Sequence, residues 1–362
     1  MVAFNSRGNS ALRRFHIKRG ALIPIIALFI LAGSSVISFP NLSVEHSVAC
    51  RECHISGAGG GARTEFGNYA VALNELTLEK TKKWAVEKYR KPRIAPSLLV
   101  GFDSRHLVLE DGTVFRMQSD LFVTFEPFEG LQYHTRLTEN GARENYGQLL
   151  FCDNRFYVRA GRFAPAFGLK QADHQGFNRA RTGNGTNIFL DGASIGGELY
   201  GVNVALESFN QFGQELTGIH AFRVGSIGSF GYLAGLSSRF SERMNGNYGL
   251  YPPAKSLFGG VSWNRFTLLG EGNLIGKYDD AVATYYAVHA RIIWGLYAVG
   301  EYNFYDSDRR FKNGIEEWVR TSIDFYPVPF VQIRPSYTRY LRDFTGTKDE
   351  RDVVFLQFHV GY

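Results

Sequence analysis

The chain is 362 residues long, 44% hydrophobic and 15% aromatic, with 40 glycines and a formal charge of +6. That composition excludes a disordered chain, and the length suffices to bury a large core or to close one barrel with a small extra domain. Most of the charge sits in Arg7, Arg13, Arg14, Lys18 and Arg19; without them 35 Lys and Arg face 34 Asp and Glu, so the basic balance is no sign of nucleic-acid binding.

Those five residues form an acid-free basic region. An apolar run over residues 21–32 follows, then small residues at 33–35, then Val36-Ile37-Ser38 before Phe39-Pro40. The order is that of a signal peptide spanning residues 1–38, with cleavage after Ser38. An uncleaved anchor helix is the alternative, although the run is short against the roughly 20 residues a bilayer span needs. Cys50 lies too far beyond the run to be the lipidated residue of a lipoprotein. With export, the mature chain is either soluble in the periplasm or lies in the outer membrane.

Residues 47–56, SVACRECHIS, hold two of the three cysteines, with a histidine directly after the second. At this spacing one helical turn presents the thiols of Cys50 and Cys53 to the same porphyrin edge. His54 then falls beneath the iron as its proximal ligand, the pattern of covalent c-type haem attachment. Three other readings use the same residues. A redox dithiol lacks its βαβ surroundings, half a zinc site lacks its second cysteine pair, and a structural disulfide suits any exported chain. The adjoining histidine and the export signal favour one covalent haem c.

A glycine-rich run over residues 57–61 follows the motif, and residues 74–91 have the charged amphipathic pattern of a helix, ended by Pro92 and Pro96. Residues 39–94 are therefore expected to form a small α-helical monohaem domain. Fifty-odd residues make a thin core, so the haem or docking on the remainder has to complete it. For the sixth iron position the candidates are His46, close in sequence, His134, His289 and His359 on polar strand faces, and His174 in a loop. Met117 belongs to an apolar strand face and Met244 to a distant Gly/Asn-rich loop. A five-coordinate or water-ligated iron is the remaining option.

From residue 95 to residue 362 the period is two. Phe115, Met117, Leu121, Val123 and Phe125 share one face against Arg116, Gln118, Asp120, Thr124 and Glu126; Leu131, Tyr133, Thr135 and Leu137 oppose Gln132, His134, Arg136 and Thr138. Similar segments recur to the end of the chain, separated by turn signals such as Glu129-Gly130, Tyr200-Gly201 and Trp294-Gly295. The pattern predicts about 16 strands. A soluble sandwich seldom puts Arg, Asp, Gln and His on one face over so many strands. An outer-membrane antiparallel β-barrel does, with apolar residues toward lipid and polar ones toward the lumen, short turns at one end and longer loops at the other. The aromatic Tyr362 closing an alternating strand has the form of an outer-membrane assembly signal. The expected fold class is mainly β: a transmembrane barrel behind a helical haem domain.

Residues 164–192 are too long and polar for a hairpin turn. They form either an ordinary surface loop or one folded inward, in which case Lys170, His174, Arg179 and Arg181 would make a basic constriction. The run from Arg159 to Gly168 resembles a segment common in phosphate-selective porin-type barrels, a likeness of fold rather than of substrate. No hydrolase triad, P-loop or dinucleotide fingerprint is present, and Cys152 beside a turn reads as inert.

Signal, one haem motif, then a barrel to the last residue: this layout resembles the fused monohaem cytochrome–porins of iron-oxidising bacteria. The matching residues are Cys50, Cys53 and His54, followed by Phe66-Gly67. The family's usual proline between motif and Phe-Gly is replaced here by the 57–61 glycine run, and the barrel is short for the family. The resemblance implies electron transfer at the outer membrane: an extracellular donor, Fe(II) in that family, gives up electrons that pass to a periplasmic c-type cytochrome or other soluble acceptor. A solute-conducting porin with a structural or gating haem plug is the alternative, and a soluble periplasmic haem enzyme on a β-scaffold a third. Lumen acids Asp103, Asp120, Glu126, Glu301 and Asp324 would either concentrate a cation or simply line a wet pore.

Overall fold

The structure is a computed structural model that describes residues 40–56, 62–73, 76–88, 93–95, 97–139, 141–171, 176–185, 188–211, 213–241, 251–311, 314–342 and 351–361. Residues 1–38, the glycine run and His174 lie outside the described residues.

Among the described residues the sheet has 17 strands. β1 (Arg93–Ala95) is a stub laid against the start of β2 (Leu98–Leu109). Each later strand pairs antiparallel with the next: β3 (Val114–Phe128), β4 (Leu131–Thr138), β5 (Gly141–Phe151), β6 (Phe156–Phe163), β7 (Leu190–Leu199), β8 (Val202–Gln211), β9 (Gln214–Ile227), β10 (Phe230–Ser241), β11 (Ala254–Trp263), β12 (Phe266–Ile275), β13 (Ala281–Ile293), β14 (Leu296–Asp306), β15 (Ile315–Phe325), β16 (Val331–Arg342) and β17 (Asp352–Gly361). β17 then returns to β2, with Phe355 opposite Leu109 and Gly361 opposite Asp103, so β2–β17 close a barrel of sixteen strands.

The two-residue period decides which way each side chain faces. On β3, Asp120, Phe122 and Thr124 are buried inside while Leu121 and Phe125 are exposed outside; on β4, His134 and Arg136 are inside while Leu131, Tyr133 and Leu137 are outside. Phe128, Ile195, Leu206, Leu236, Leu257 and Phe266 continue the exposed apolar surface around the barrel. A surface of this extent does not persist on a water-soluble monomer, and it matches the lipid-facing band of an outer-membrane barrel.

The two ends of the barrel differ. One end carries Leu98 and Gly361 and most of the tightest connections, among them Glu129-Gly130, Tyr200-Gly201, Asn264-Arg265 and Trp294-Gly295. Tyr200 and Gly201 both have left-handed φ, at 52° and 77°, which matches the twist of a two-residue hairpin. The other end carries the long connections after β6, β10, β14 and β16.

The N-terminal segment lies in the short-turn end. Helix α1 (Pro40–His46) and the single turn α2 (Cys50–Cys53) lead into a π-helical turn, Gly67–Leu73, and then α3 (Glu79–Lys88). The helix expected over 74–91 is realised as α3. Just before it, the Leu78 N–H donates to the Tyr326 carbonyl at 3.3 Å, so the chain there is tied to the barrel rim instead of wound into helix. Thr81 Oγ1 donates to the Pro327 carbonyl at 2.9 Å, Arg51 to the Arg155 carbonyl at 2.7 Å and to Glu198 at 2.8 Å, and Glu45 pairs with Arg291.

Among the described residues the segment has no core of its own. Val44 and Ala49 pack with Leu169, Phe222, Leu233, Phe258 and Leu269; Leu42, Val71 and Leu76 pack with Tyr297 and Tyr326; Ala62 packs with Leu99 and Phe122. Docking on the barrel wall thus completes the thin core that the sequence implies.

Lumen-facing polar residues are themselves buried, among them Arg159, Glu207, Ser237, Glu271, Asn303 and Arg320. A wide aqueous channel would leave them wet, so protein fills the lumen at these levels. Arg159 donates to Glu207 at 2.8 Å, and its guanidinium lies 4.0 Å over the Phe163 ring. Breaking a buried pair from one side costs about 3–5 kcal/mol because the remaining charge is stranded. Arg159→Met is therefore expected to lower the unfolding midpoint in lipid vesicles markedly. The double variant Arg159→Met/Glu207→Gln, which removes the stranded charge but keeps an acceptor for the Ala166 N–H, should recover most of the loss, as read by urea titration of tryptophan fluorescence.

Candidate functional site

Why α1 stops where it does sets the geometry of the motif. Ser47 takes a left-handed φ of 56°. The Ser47 N–H returns to the Val44 carbonyl at 3.3 Å and the Val48 N–H to the Ser43 carbonyl at 3.1 Å. This paired closure ends a helix and reverses the chain. Serine at a glycine-favoured position is explained by its hydroxyl, which donates to the Gly225 carbonyl of β9 at 2.9 Å. Ala49 then starts α2, and Cys50 and Cys53 fall three residues apart on its one turn.

The Phe-Gly pair has a packing role. A Cβ on Gly67 would collide with the backbone of Cys53, so only glycine lets the π-helical turn lie against α2. Thr64 reinforces the join: its N–H donates to the Cys53 carbonyl at 3.0 Å, and its hydroxyl donates to the Glu52 carbonyl at 2.6 Å and accepts the Gly67 N–H at 3.0 Å. His54 and Arg63 pair as an isolated antiparallel bridge.

These elements surround a small cavity at the short-turn end. Cys50, Cys53, His54 and His46 line it together with Leu42, Val48, Val71 and Leu76, and Arg63 supplies one cation. Burial pushes the Cys50 thiol above its ordinary range. Cys53 is pushed up to about 11, by burial first and by Cys50 second. Thiols held neutral are poor thiolate ligands and poor redox nucleophiles, while a thioether carries no charge and is at no disadvantage there. Among the described residues no three His, Cys, Asp or Glu side chains converge as a bare ion requires; a porphyrin iron needs only axial ligands from the protein. The donor set and the apolar wall are of the kind a covalently attached haem requires, for which Cys50 and Cys53 would be the thioether positions and His54 the iron ligand.

Of the sixth-ligand candidates within the described residues, the cavity includes His46 and not the others. His134 on β4 shares a hydrogen bond of 2.9 Å with Thr124, and His359 on β17 one of 2.9 Å with Asp103. His289 faces the lumen from β13, and Met117 lies half-buried on β3. Cys152, exposed in a short-turn connection, lies apart from the cavity lining.

The connection between β6 and β7 folds into the lumen, held by backbone donors on wall acceptors. The Ala166 N–H reaches Glu207 at 2.8 Å, Gly168 reaches Ser237 at 3.0 Å, Leu169 reaches Glu271 at 3.0 Å, and Phe177 reaches Asn303 at 3.1 Å. Among the described residues, Lys170, Arg179 and Arg181 do not form the expected basic constriction. Arg179 is spent inside the loop on the Gln171 and Asn184 carbonyls, and Arg181 pairs with Glu316. Lys170 is pulled down to about 7 by burial and by nearby Arg179, which weakens it as a fixed cation. The lumen acids are partnered too: Asp103 with His359, Asp120 with Arg136 at 2.9 Å, Asp324 with Arg334 at 2.8 Å, and Glu301 with Tyr285 at 3.1 Å. They are neither a cation funnel nor a wet lining. Glu126, at the short-turn end, accepts the Gly130 N–H at 3.4 Å.

Comparison with solved structures bears on the barrel. Pseudomonas putida OprB superposes with a TM-score of 0.59 at 9% identity, over 78% of this chain and 96% of that one. OmpT of Vibrio cholerae gives 0.53 at 10% identity, over 74% and 99%, and Salmonella typhi OmpF in complex with daunomycin gives 0.53 at 12%, over 73% and 97%. This chain has the porin fold. No family model and no curated sequence matches it. The porin half of the layout is thereby supported at the level of fold.

Glu207, Ser237, Glu271 and Asn303, which fasten the inward loop to the porin-type wall, were not singled out by the sequence. Each stands on a polar strand face, but its loop partner is 41 to 126 residues away. Two outcomes follow from this geometry. In protein made without haem, Cys53 should alkylate slowly with iodoacetamide at pH 8, the rate rising about tenfold per pH unit as its thiolate fraction grows toward a pKa of about 11; exposed Cys152 should label first. Glu271→Ala strands the Leu169 N–H and the Asn178 amide, at about 1–3 kcal/mol for each buried donor, so trypsin should cut at Lys170 or Arg179 in that variant and spare the parent protein.

Proposed function

We propose that this chain is an outer-membrane electron-transfer protein that holds one haem c at the periplasmic mouth of a plugged porin-fold barrel. It would take electrons from an extracellular donor and deliver them to a periplasmic c-type cytochrome or another soluble acceptor. The observation that carries the reading is that half-buried Cys50 and Cys53 and buried His54 line one largely apolar cavity inside the short-turn end, which in outer-membrane barrels is the periplasmic end. When bound, a haem supplies a one-electron iron couple whose potential is set by its ligands and burial. The chain's own contribution is to hold the two thiols on one turn through Thr64 and Gly67, to keep water off them with Leu42, Val71 and Leu76, and to brace the whole on the barrel through Arg51 and Glu45. Fe(II) as the donor follows from the family resemblance.

The second reading, a solute-conducting porin with a structural haem plug, is favoured by the likeness of the barrel to OprB and OmpF. The filled lumen weighs against it.

Expression of the full chain in a host that attaches c-type haem separates the two. The electron-transfer reading expects covalent haem bands that Cys50→Ala or Cys53→Ala abolishes, rapid reduction of the oxidised protein by Fe(II) in stopped flow, and little single-channel current in planar bilayers. Haem reducible only by dithionite would remove Fe(II) as donor. Porin-sized conductance would transfer the assignment to the second reading, and absence of haem would end the first.

A further inference from the structure

We infer that His46 is the second axial ligand of the haem iron, an assignment that rests on the haem reading above. His46 is the last residue of α1, and it lines the same cavity as Cys50, Cys53 and His54. Its position is fixed from both sides. One residue before it, Glu45 pairs with Arg291 of β13; one residue after it, the Ser47 hydroxyl is bonded to the Gly225 carbonyl of β9 at 2.9 Å. Two strands well separated around the wall thus hold the neighbours of His46, and the closing turn at Ser47, with its two returning backbone bonds, leaves no free rotation between α1 and α2. A backbone braced this way on both sides of His46 gives its imidazole the fixed attachment that a metal ligand requires.

The other described histidines belong to the barrel wall. His134 is bonded to Thr124, His359 to Asp103, and His106 to Ser104 at 2.9 Å. His220 is bonded to Ser237 at 2.8 Å and stacks on Phe258. His289 stands on β13 and is not part of the cavity lining. The chemistry of a bis-imidazole site also suits the proposed role. Two imidazoles supplied by the chain would leave small exogenous ligands no place at the metal, which suits a group that only exchanges electrons.

The test uses the full-length, haem-loaded protein in detergent, read by visible absorption and electron paramagnetic resonance. The oxidised wild-type protein is expected to be low-spin, and its dithionite-reduced form inert to carbon monoxide. His46→Ala should turn high-spin and bind carbon monoxide, added imidazole should restore the low-spin spectrum, and His46→Met should be six-coordinate with a shifted potential. Thr81→Ala, on the rim and away from the cavity, serves as the control for disturbance of the plug. A high-spin or carbon-monoxide-binding wild-type protein, or a His46→Ala variant that stays low-spin, overturns the assignment and leaves the haem reading intact. Wild-type protein without covalent haem overturns the haem reading itself, and this assignment with it.

Discussion

Hydrocarbon offers no partner to a backbone N–H or C=O, so a sheet that crosses a bilayer has to bond its own edges. In this chain the last edge is removed by β17, which returns to β2 across seven paired residues. Everything else is arranged around that closure. The outward positions are free to be Phe, Leu, Ile and Val because lipid covers them, and the inward positions have to be polar or else packed against something that enters the lumen. Two segments enter. The N-terminal segment comes in at the end with the short turns, and the β6–β7 connection comes in along the wall. They meet where Leu169 packs with Val44 and Ala49.

The energetics of the lumen follow from that meeting. Once protein displaces water, each buried charge needs a partner, and the wall provides them: Arg159 with Glu207, Arg136 with Asp120, Arg334 with Asp324. Glu271 is satisfied differently, by the Leu169 N–H, the Asn178 amide and the Ser256 hydroxyl, all neutral donors. The wall therefore carries two kinds of carboxylate, those that neutralise a neighbouring strand and those that fasten the inward loop. The cysteine-bearing turn depends on the same wall, since the apolar residues around it share their cores with Tyr297, Tyr326 and Phe122.

What the sequence made legible is what is local. Alternation at a period of two is written into each strand, and it places His134, Arg136, Asp120 and Asp324 inside without any knowledge of their partners. The cysteine spacing and the following histidine are contiguous, so the motif can be read in place. The fate of the lumen charges was not legible, because Asp103 meets His359 only through the β17–β2 ladder, 256 positions apart. The same holds for Arg51, whose partner Glu198 lies 147 positions away, and for the start of α3, which tertiary tethering at Leu78 shifts away from its periodic limits. Arg179 and Arg181 make a basic constriction on only one of the two readings their loop allows; the folded loop reveals that carbonyls and Glu316 use their charge up.

The core that Leu169 shares with Val44 has a consequence for the cell that carries such a barrel. An open porin trades nutrient entry against leakage, so every added copy makes the envelope more permeable to toxic compounds. A barrel whose bore is stoppered by its own chain from both directions breaks that link. It can be installed densely without thinning the barrier that the outer membrane exists to provide.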